Sequence, residues 1–167
     1  QWKKVKRGLA EGLLYAEKIG FPVIVKPNSS YGGKAVTKVH TKRDFVRAFR
    51  EVANVDEVIL VEKFHPGLDC RVLVYDEKVV CAYWRKPCSI TGNGRSTVAK
   101  LMGQDRKKLT DFRVITNLKR LKLTLDSILK KGQQITLLDN ANLSDGGAAE
   151  DISATLPKSF KDFCIKI

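Results

Sequence analysis

The 167-residue sequence lacks any long apolar segment. None of its hydrophobic runs approaches the roughly 20 residues that a transmembrane helix needs, and the basic start at residues 1–4 is not followed by the apolar core of a signal peptide. We therefore predict a cytoplasmic protein with no membrane partner. Because 43% of the residues are apolar, the chain can bury a core as one domain or as two small lobes.

Metal-ligand patterns are also missing. The four cysteines include no C-x-x-C pair, and the two histidines, His40 and His65, have no recognisable ligand spacing. We therefore predict no metal ligands within this chain. Cys70 and Cys81 lie in apolar, strand-like stretches, where we expect buried and unreactive thiols.

Acidic residues are too few to balance the basic ones, and the formal charge is +13. Such a charge suits nucleic acid, an anionic membrane surface or a polyphosphate ligand. The densest basic stretch, residues 106–131, alternates with leucines and is typical of the solvated face of an amphipathic helix. A basic, non-catalytic module that binds nucleic acid is thus the alternative function. No stacking-aromatic motif supports it, because the aromatic residues mostly occupy core positions.

The hydrophobic pattern predicts an α+β protein with mostly antiparallel sheet. A first helix ends at Gly20, and Thr41 is placed to cap a second that ends near Val52. A third helical pattern continues through Leu129 to Gly132, and residues 89–97 are predicted to be a mobile loop. The predicted strands are residues 21–26, 34–39, 58–61, 71–75, 79–84 and 135–138.

One stretch has the composition of a phosphate site. A nucleoside triphosphate needs a lysine at the end of a rigid strand and a loop whose backbone N–H groups can approach the phosphates. Lys26 ends the strand 21–26, and small residues follow at once: Ser29, Ser30, Gly32 and Gly33. The loop matches neither G-x-x-x-x-G-K-[ST] nor G-x-G-x-x-G, so its role depends on the rest of the chain.

Several motifs in order resemble the ATP-grasp superfamily. They are GFPVIVKP at 20–27, the small-residue loop at 29–33, VEKF at 61–64 followed by Gly67 and Asp69, and RVLV at 71–74. The motifs GNGRST at 92–97 and NLSDGG at 142–147 are similar to the branch of cyanophycin synthetase and the ATP-grasp part of bifunctional glutathione synthetases. The resemblance extends from about Gly20 onward.

This resemblance implies an ATP-grasp fold fragment of two small lobes, a lid lobe at residues 1–60 and a core lobe at 61–167. It also implies a carbon–nitrogen ligase that forms an amide through an acyl phosphate, with ATP and Mg²⁺ as cofactors and carboxylate and amine molecules or peptides as substrates. A homo-oligomer is compatible with it. The superfamily's aspartate and Glu-x-Asn metal ligands do not occur before Ile167, so we expect them, and the N-terminal substrate domain, outside this chain. The isolated chain should then bind nucleotide weakly and turn over little.

The resemblance assigns nucleotide-binding roles to residues before position 70. Lys26 is similar to the lysine that contacts the α and β phosphates, and the loop residues to a lid over the triphosphate. Asp69 corresponds to a carboxylate that binds the ribose. The hinge strand that binds adenine is implied for Glu62, Lys63 and Phe64.

Later residues are implied in the chemistry. Arg71 and Arg85 resemble arginines that face the γ-phosphate and the acyl phosphate, where a planar, bidentate cation suits the developing charge. The other interpretation is a strand arginine paired with a surface carboxylate. A loop that cradles phosphate or acceptor is implied for Asn142, Ser144, Gly146 and Gly147. Residues 89–97 form either a gate over the site or an ordinary loop.

Overall fold

A computed structural model describes residues 3–4, 8–103 and 106–167, with only the backbone of residues 3, 4, 106 and 107. They divide into two compact units, Gln1–Pro66 and Gly67–Ile167. The helices are α1 (Gly8–Ile19), α2 (Lys42–Ala53), α3 (Val98–Leu101), α4 (Arg106–Thr110), α5 (Phe112–Arg120) and α6 (Lys158–Lys166). The strands are β1 (Lys3–Lys4), β2 (Val23–Pro27), β3 (Thr37–Val39), β4 (Val58–Lys63), β5 (Asp69–Tyr75), β6 (Lys78–Lys86), β7 (Ser89–Thr91), β8 (Gln134–Thr136) and β9 (Ala148–Asp151). Within these ranges, no helix combines the length and apolarity that crossing a membrane demands.

The first unit is an antiparallel sheet in the order β1-β4-β2-β3, with α1 and α2 packed on it. Burial alternates along β2, so Val23 and Val25 are fully buried while Ile24 and Lys26 are not. The strand registers therefore divide the sheet into a helix-covered face and an opposite face. We call the opposite face the open face; it carries Ile24, Lys26, Lys38, Leu60 and Glu62.

Both helices of this unit begin or end as the sequence predicts. Gly20, at φ 81°, follows α1 and donates its N–H to the Ala16 carbonyl. At α2, the Thr41 hydroxyl accepts from the Asp44 N–H at 3.2 Å and donates to the Asp44 carboxylate at 2.7 Å. These caps fix the helices that cover the sheet.

The second unit contains two small antiparallel sheets, β5-β6-β9 and β7-β8. One face of β5-β6-β9 packs Ala82 against Ile152 and Leu156, and α6 also contacts this sheet. A second core gathers around β7, β8, α3 and α5: Cys88, Val98, Val114, Leu118, Leu129, Ile135, Leu137 and Leu138. The predicted α+β fold with mostly antiparallel sheet is confirmed. Cys70 and Cys81 are free and only half-buried, less buried than predicted.

The prediction of helix through Leu129 was wrong, because α5 ends at Arg120. Lys122, at φ 58°, takes the left-handed position after the helix. Its N–H reaches the Lys119 carbonyl, and the Leu123 N–H reaches the Leu118 carbonyl at 2.8 Å. This is a Schellman motif with lysine where glycine is usual. Beyond it, the carbonyls of residues 125 and 127 accept the first N–H groups of α3.

The prediction of a loop at residues 89–97 was wrong for residues 89–91. Its first residues form β7, which pairs with β8 across more than forty residues of sequence. Gly92 exchanges backbone hydrogen bonds with residues 132 and 133, and a Cβ there would collide with Leu129 and with the Lys130 carbonyl. Thr97 caps α3 by accepting from the Lys100 N–H. The segment is therefore ordered structure. The sequence analysis also predicted neither β9 nor α6.

Candidate functional site

In the first unit, Lys26 lies on the open face and pairs with Glu62. Its ammonium is 2.8 Å from Glu62 Oε2, and the two side chains are 32% and 50% exposed. Lys26 is registered opposite Leu60, two residues before Glu62, so the pair is a diagonal contact across β2 and β4. The carboxylate holds the ammonium at the face and balances part of its charge.

The small-residue loop borders a cleft of about 190 Å³ that Lys26 also lines. Ser30, Gly33 and Lys34 are other lining residues. The turn at residues 32–35 has positive φ at Gly32 and Gly33, which glycine adopts freely, and at Ala35, where it is strained. Ser29 and Gly32 are exposed. The structure thus brings Lys26 together with Ser30 and Gly33 around one small cleft.

The loop has an anchor that the sequence analysis missed. Asp56 accepts the Ser29 N–H through Oδ2 at 2.5 Å and the Val58 N–H through Oδ1 at 2.9 Å. The pKa of Asp56 is lowered, first by the hydrogen bond from Val58 and then by the bond from Ser29. Asn28 also donates its N–H to the Val58 carbonyl. The short spacing of Asp56 and Val58 could have suggested the hydrogen bond between them. No feature of the sequence near Asp56 indicates its contact with Ser29.

The predicted adenine hinge lies at the end of β4. Glu62 and Lys63 are its last residues, and Lys63 is registered opposite Val23. Phe64 follows the strand and donates its N–H to the Pro22 carbonyl at 3.3 Å. The ammonium of Lys38, a residue that was not predicted, lies 3.6 Å from the centroid of the Phe64 ring. Glu62 and Lys63 therefore lie in β4, beside the strand β2 that carries Lys26, and Phe64 follows directly after β4.

In the second unit, Asp69, Arg71 and Arg85 form one cluster. Asp69 and Arg85 are direct partners in the β5–β6 ladder, and the guanidinium donates to both carboxylate oxygens at 2.9 and 2.5 Å. This bond, opposed by burial, lowers the pKa of Asp69 and raises that of Arg85. Arg71 lies 3.7 Å from Asp69 Oδ1 and is 58% exposed, whereas Arg85 is 17% exposed. The sequence analysis gave an alternative to a catalytic role for Arg85, namely a strand arginine paired with a surface carboxylate. The contact with Asp69 has this form.

The loop at residues 142–147 also reaches this cluster. Arg85 Nη1 donates to Asn142 Oδ1 at 3.3 Å. The Asn142 carbonyl accepts the Gly147 N–H at 2.9 Å, across a 3-10 turn that contains the exposed Ser144 and ends at Gly146, φ 89°. A Cβ on Gly147 would lie 2.7 Å from the carbonyl oxygens of Asn142 and Lys86, so no side chain fits there. The loop leads directly into β9, which pairs with β6 and so brings Asn142 to Arg85.

Two further lysines border the predicted loops. Lys34 lines the cleft of the first unit. In the second unit, the Lys108 ammonium occupies the space beside Gly146, since a Cβ there would lie 2.6 Å from it. Neither lysine belongs to a motif on which the sequence analysis relied, and both were missed. Across residues 3–4, 8–103 and 106–167, no three His, Cys, Asp or Glu side chains gather as a metal site would require.

Comparison with protein families and curated proteins gives consistent matches. The family model of the D-ala D-ala ligase C-terminus matches residues 3–102. A cyanophycin synthetase from Nostoc sp. is 36% identical over 148 residues, which cover 79% of this chain and 16% of that protein. The glutathione biosynthesis bifunctional protein GshAB from Clostridium perfringens is 29% identical over 161 residues, 86% of this chain and 21% of that protein. The chain therefore spans about a fifth of the length of these relatives.

One solved structure extends the comparison. The crystal structure of a bifunctional glutathione synthetase from Pasteurella multocida matches with a TM-score of 0.48 and 24% sequence identity. The match covers 99% of this chain and 24% of that one.

Proposed function

Because this chain belongs to the ATP-grasp superfamily, through the family of the D-ala D-ala ligase C-terminus, we propose that it is the ATP-binding module of an ATP-dependent carboxylate–amine ligase. In the proposed reaction, a carboxylate oxygen attacks the γ-phosphorus of ATP and ADP leaves. An amine nitrogen then attacks the acyl phosphate, inorganic phosphate leaves, and the nitrogen loses a proton to give an amide. ATP is a substrate, and the residues of this chain bind and orient its phosphates.

The cleft beside Lys26 carries this proposal. Its lining joins the Lys26 ammonium to Ser30 and Gly33, and small residues let backbone N–H groups approach phosphate oxygens closely. Lys26 contacts the α and β phosphates in this proposal, and Glu62 to Phe64 bind adenine. Glu62 then has two functions, since it also holds Lys26 at 2.8 Å.

We assign the residues that stabilise the transferred phosphoryl group to the second unit. Arg71 and Arg85 stabilise the charge that develops on the transferred phosphoryl group. The bidentate contact from Arg85 to Asp69 supports an orienting role for this carboxylate, because it fixes the plane of the guanidinium. The ribose contact of Asp69 stays a prediction. The loop with Asn142, Ser144, Gly146 and Gly147 binds phosphate or acceptor.

Mg²⁺ accompanies ATP in this proposal and would neutralise phosphate charge when bound. We assign it no protein ligand, because the described residues bring together no group of carboxylates or imidazoles that would hold it. The carboxylate and amine substrates of the whole protein are part of the proposal, and the cytoplasmic location remains a prediction from the sequence.

The proposal is tested by replacing Lys26 with alanine. Loss of a charge-assisted contact to phosphate removes about 1.5–3 kcal/mol, so we expect Lys26→Ala to weaken binding of a non-hydrolysable ATP analogue by roughly 10- to 150-fold. The measurement is titration calorimetry of the 167-residue chain with Mg²⁺ at moderate salt. The substitution leaves Glu62 half-exposed, so folding should persist.

The matched control is Lys18→Ala, which removes an exposed lysine from the last turn of α1. It should bind the analogue like the unchanged chain. Equal affinity of the Lys26→Ala variant and the unchanged chain would contradict the proposal. The nucleic-acid alternative predicts something different: binding that ignores the base and weakens steeply as salt rises.

A further inference from the structure

Lys38 and Phe64 form a contact that the proposed reaction does not use. Lys38 is the middle residue of β3 on the open face, and its ammonium lies 3.6 Å from the centroid of the Phe64 ring. In the part of the chain that the structure describes, Lys38 forms no ion pair. The ring is therefore the partner that the structure gives to this half-buried cation.

Phe64 lies beyond the end of β4, where the contact with Lys38 can hold its ring in place. Phe64 lies one residue beyond Lys63, the last residue of β4, so the ladder with β2 does not hold it. Its backbone N–H donates to the Pro22 carbonyl at 3.3 Å. The Lys38 ammonium contacts the ring from β3, on the other side of β2. The end of the hinge therefore has a backbone contact beside β2 and a side-chain contact to β3.

We propose that Lys38 is a positioning residue for nucleotide-base recognition, which acts by holding the Phe64 ring and with it the backbone of residues 62–64. This inference rests on the proposed function, in which that segment binds adenine. Lys38 does not touch the phosphates in this proposal. Lys38 therefore contributes to the affinity for the base of ATP, whereas Lys26 contributes to the affinity for its phosphates.

The test separates these two parts by using adenosine and inorganic tripolyphosphate as probes beside ATP. Methionine preserves the unbranched stem of lysine and removes the charge. A cation–π contact at a partly exposed site is worth about 0.5–1 kcal/mol, which limits the energy that holding the ring can contribute to binding. Lys38→Met should therefore weaken ATP and adenosine binding by about two-fold and by no more than about five-fold. Tripolyphosphate binding should not change. Lys38→Arg should retain the affinity, because a guanidinium also stacks on an aromatic face.

A double-mutant cycle shows whether Lys38 acts through the ring. In a Phe64→Leu background, Lys38→Met should cause no further loss of adenosine affinity. Thermal unfolding of Lys38→Met should occur no more than about 2–8 °C below that of Lys18→Met, a control that removes an exposed lysine of α1, because only the cation–π contact is lost. Competition against a fluorescent ATP analogue measures all three probes in the same 167-residue chain.

Three results would overturn the inference: unchanged adenosine affinity, a parallel loss of tripolyphosphate affinity, or a full additional loss in the Phe64→Leu background. The first would show that the contact is irrelevant to the base, the second that Lys38 acts on phosphates, and the third that the ring does not mediate its effect. Failure of the unchanged chain to bind ATP would instead refute the proposed function, so the two failures are distinguishable.

Discussion

The ion pair between Asp69 and Arg85 gives a prediction for the second unit. In Asp69→Asn, the amide keeps one acceptor oxygen but presents an N–H₂ group to the other guanidinium nitrogen. Hydrogen bonds to charged groups contribute about 1.5–3 kcal/mol. Because the Asp69 side chain is 36% exposed, solvent replaces part of this loss. We therefore expect the free energy of unfolding to fall by about 1–2 kcal/mol, which lowers Tm by roughly 4–15 °C in a unit of this size.

The lowered pKa of Asp69 predicts how this loss of stability changes with pH. Arg85 lowers the pKa of folded Asp69, so the pair stabilises the fold fully above the pKa of the unfolded carboxyl, about 3.9. Its contribution is lost as pH falls through the lower pKa of the folded state. The stability difference between the unchanged chain and Asp69→Asn should thus be largest near pH 7 and shrink below about pH 4.

Urea unfolding followed by circular dichroism at pH 7 and pH 3 measures both quantities. Asp126→Asn is the matched control, because Asp126 is an exposed carboxylate of the same unit with no ion pair among the described residues. A difference that is as large at pH 3 as at pH 7 would refute the ionic explanation. So would an Asp126→Asn variant that loses as much stability.

Two glycine-related substitutions give the remaining predictions. Gly147→Ala should destabilise the second unit by more than about 2 kcal/mol, because the new Cβ would lie 2.7 Å from two backbone carbonyl oxygens. Urea unfolding checks this against Gly67→Ala, whose Cβ would meet open space, and equal stability of the two variants would contradict it. Ala35→Gly should stabilise the first unit by about 0.5–1 kcal/mol, because Ala35 has φ 57° and glycine relieves this strain. The control Ala10→Gly, at an exposed position of α1, should lower the free energy of unfolding by about 1 kcal/mol. A loss of stability in Ala35→Gly as well would show that the turn is unstrained.

Local chemistry predicted the first unit well. The cap at Thr41 and the stop at Gly20 need only neighbouring residues, and the alternation of β2 follows from its own sequence. The end of α5 could not be predicted in this way. The residue that takes the left-handed conformation is Lys122, which gives no glycine signal, and the leucines beyond it continue an apolar pattern that resembles a helix. Tertiary burial of Leu123 and Leu125 against the second core decides their conformation.

The candidate site shows the same division. The sequence singles out Lys26, Glu62 and Asp69 because they lie in ordered motifs, and their nucleotide-binding roles stay predictions. Asp56 and Lys38 could not, since their importance comes from contacts with residues 27 and 26 positions away, Ser29 and Phe64. Residues 89–91 were assigned to a loop because the segment 89–97 is rich in glycine and hydroxyl residues, and their partner strand, residues 134–136, is also distant. Pairings across such separations leave no trace in local composition.

The carboxylate of Asp56 holds the first residue of the small-residue loop. By bonding the amide of Ser29, it carries the β2–β4 ladder one step past Asn28, so the rigid part of the chain reaches beyond Lys26. The lid that we propose over the triphosphate therefore comprises the loop residues after Ser29. In the proposed function, Glu62 therefore holds the Lys26 ammonium on the open face before the phosphates of ATP bind.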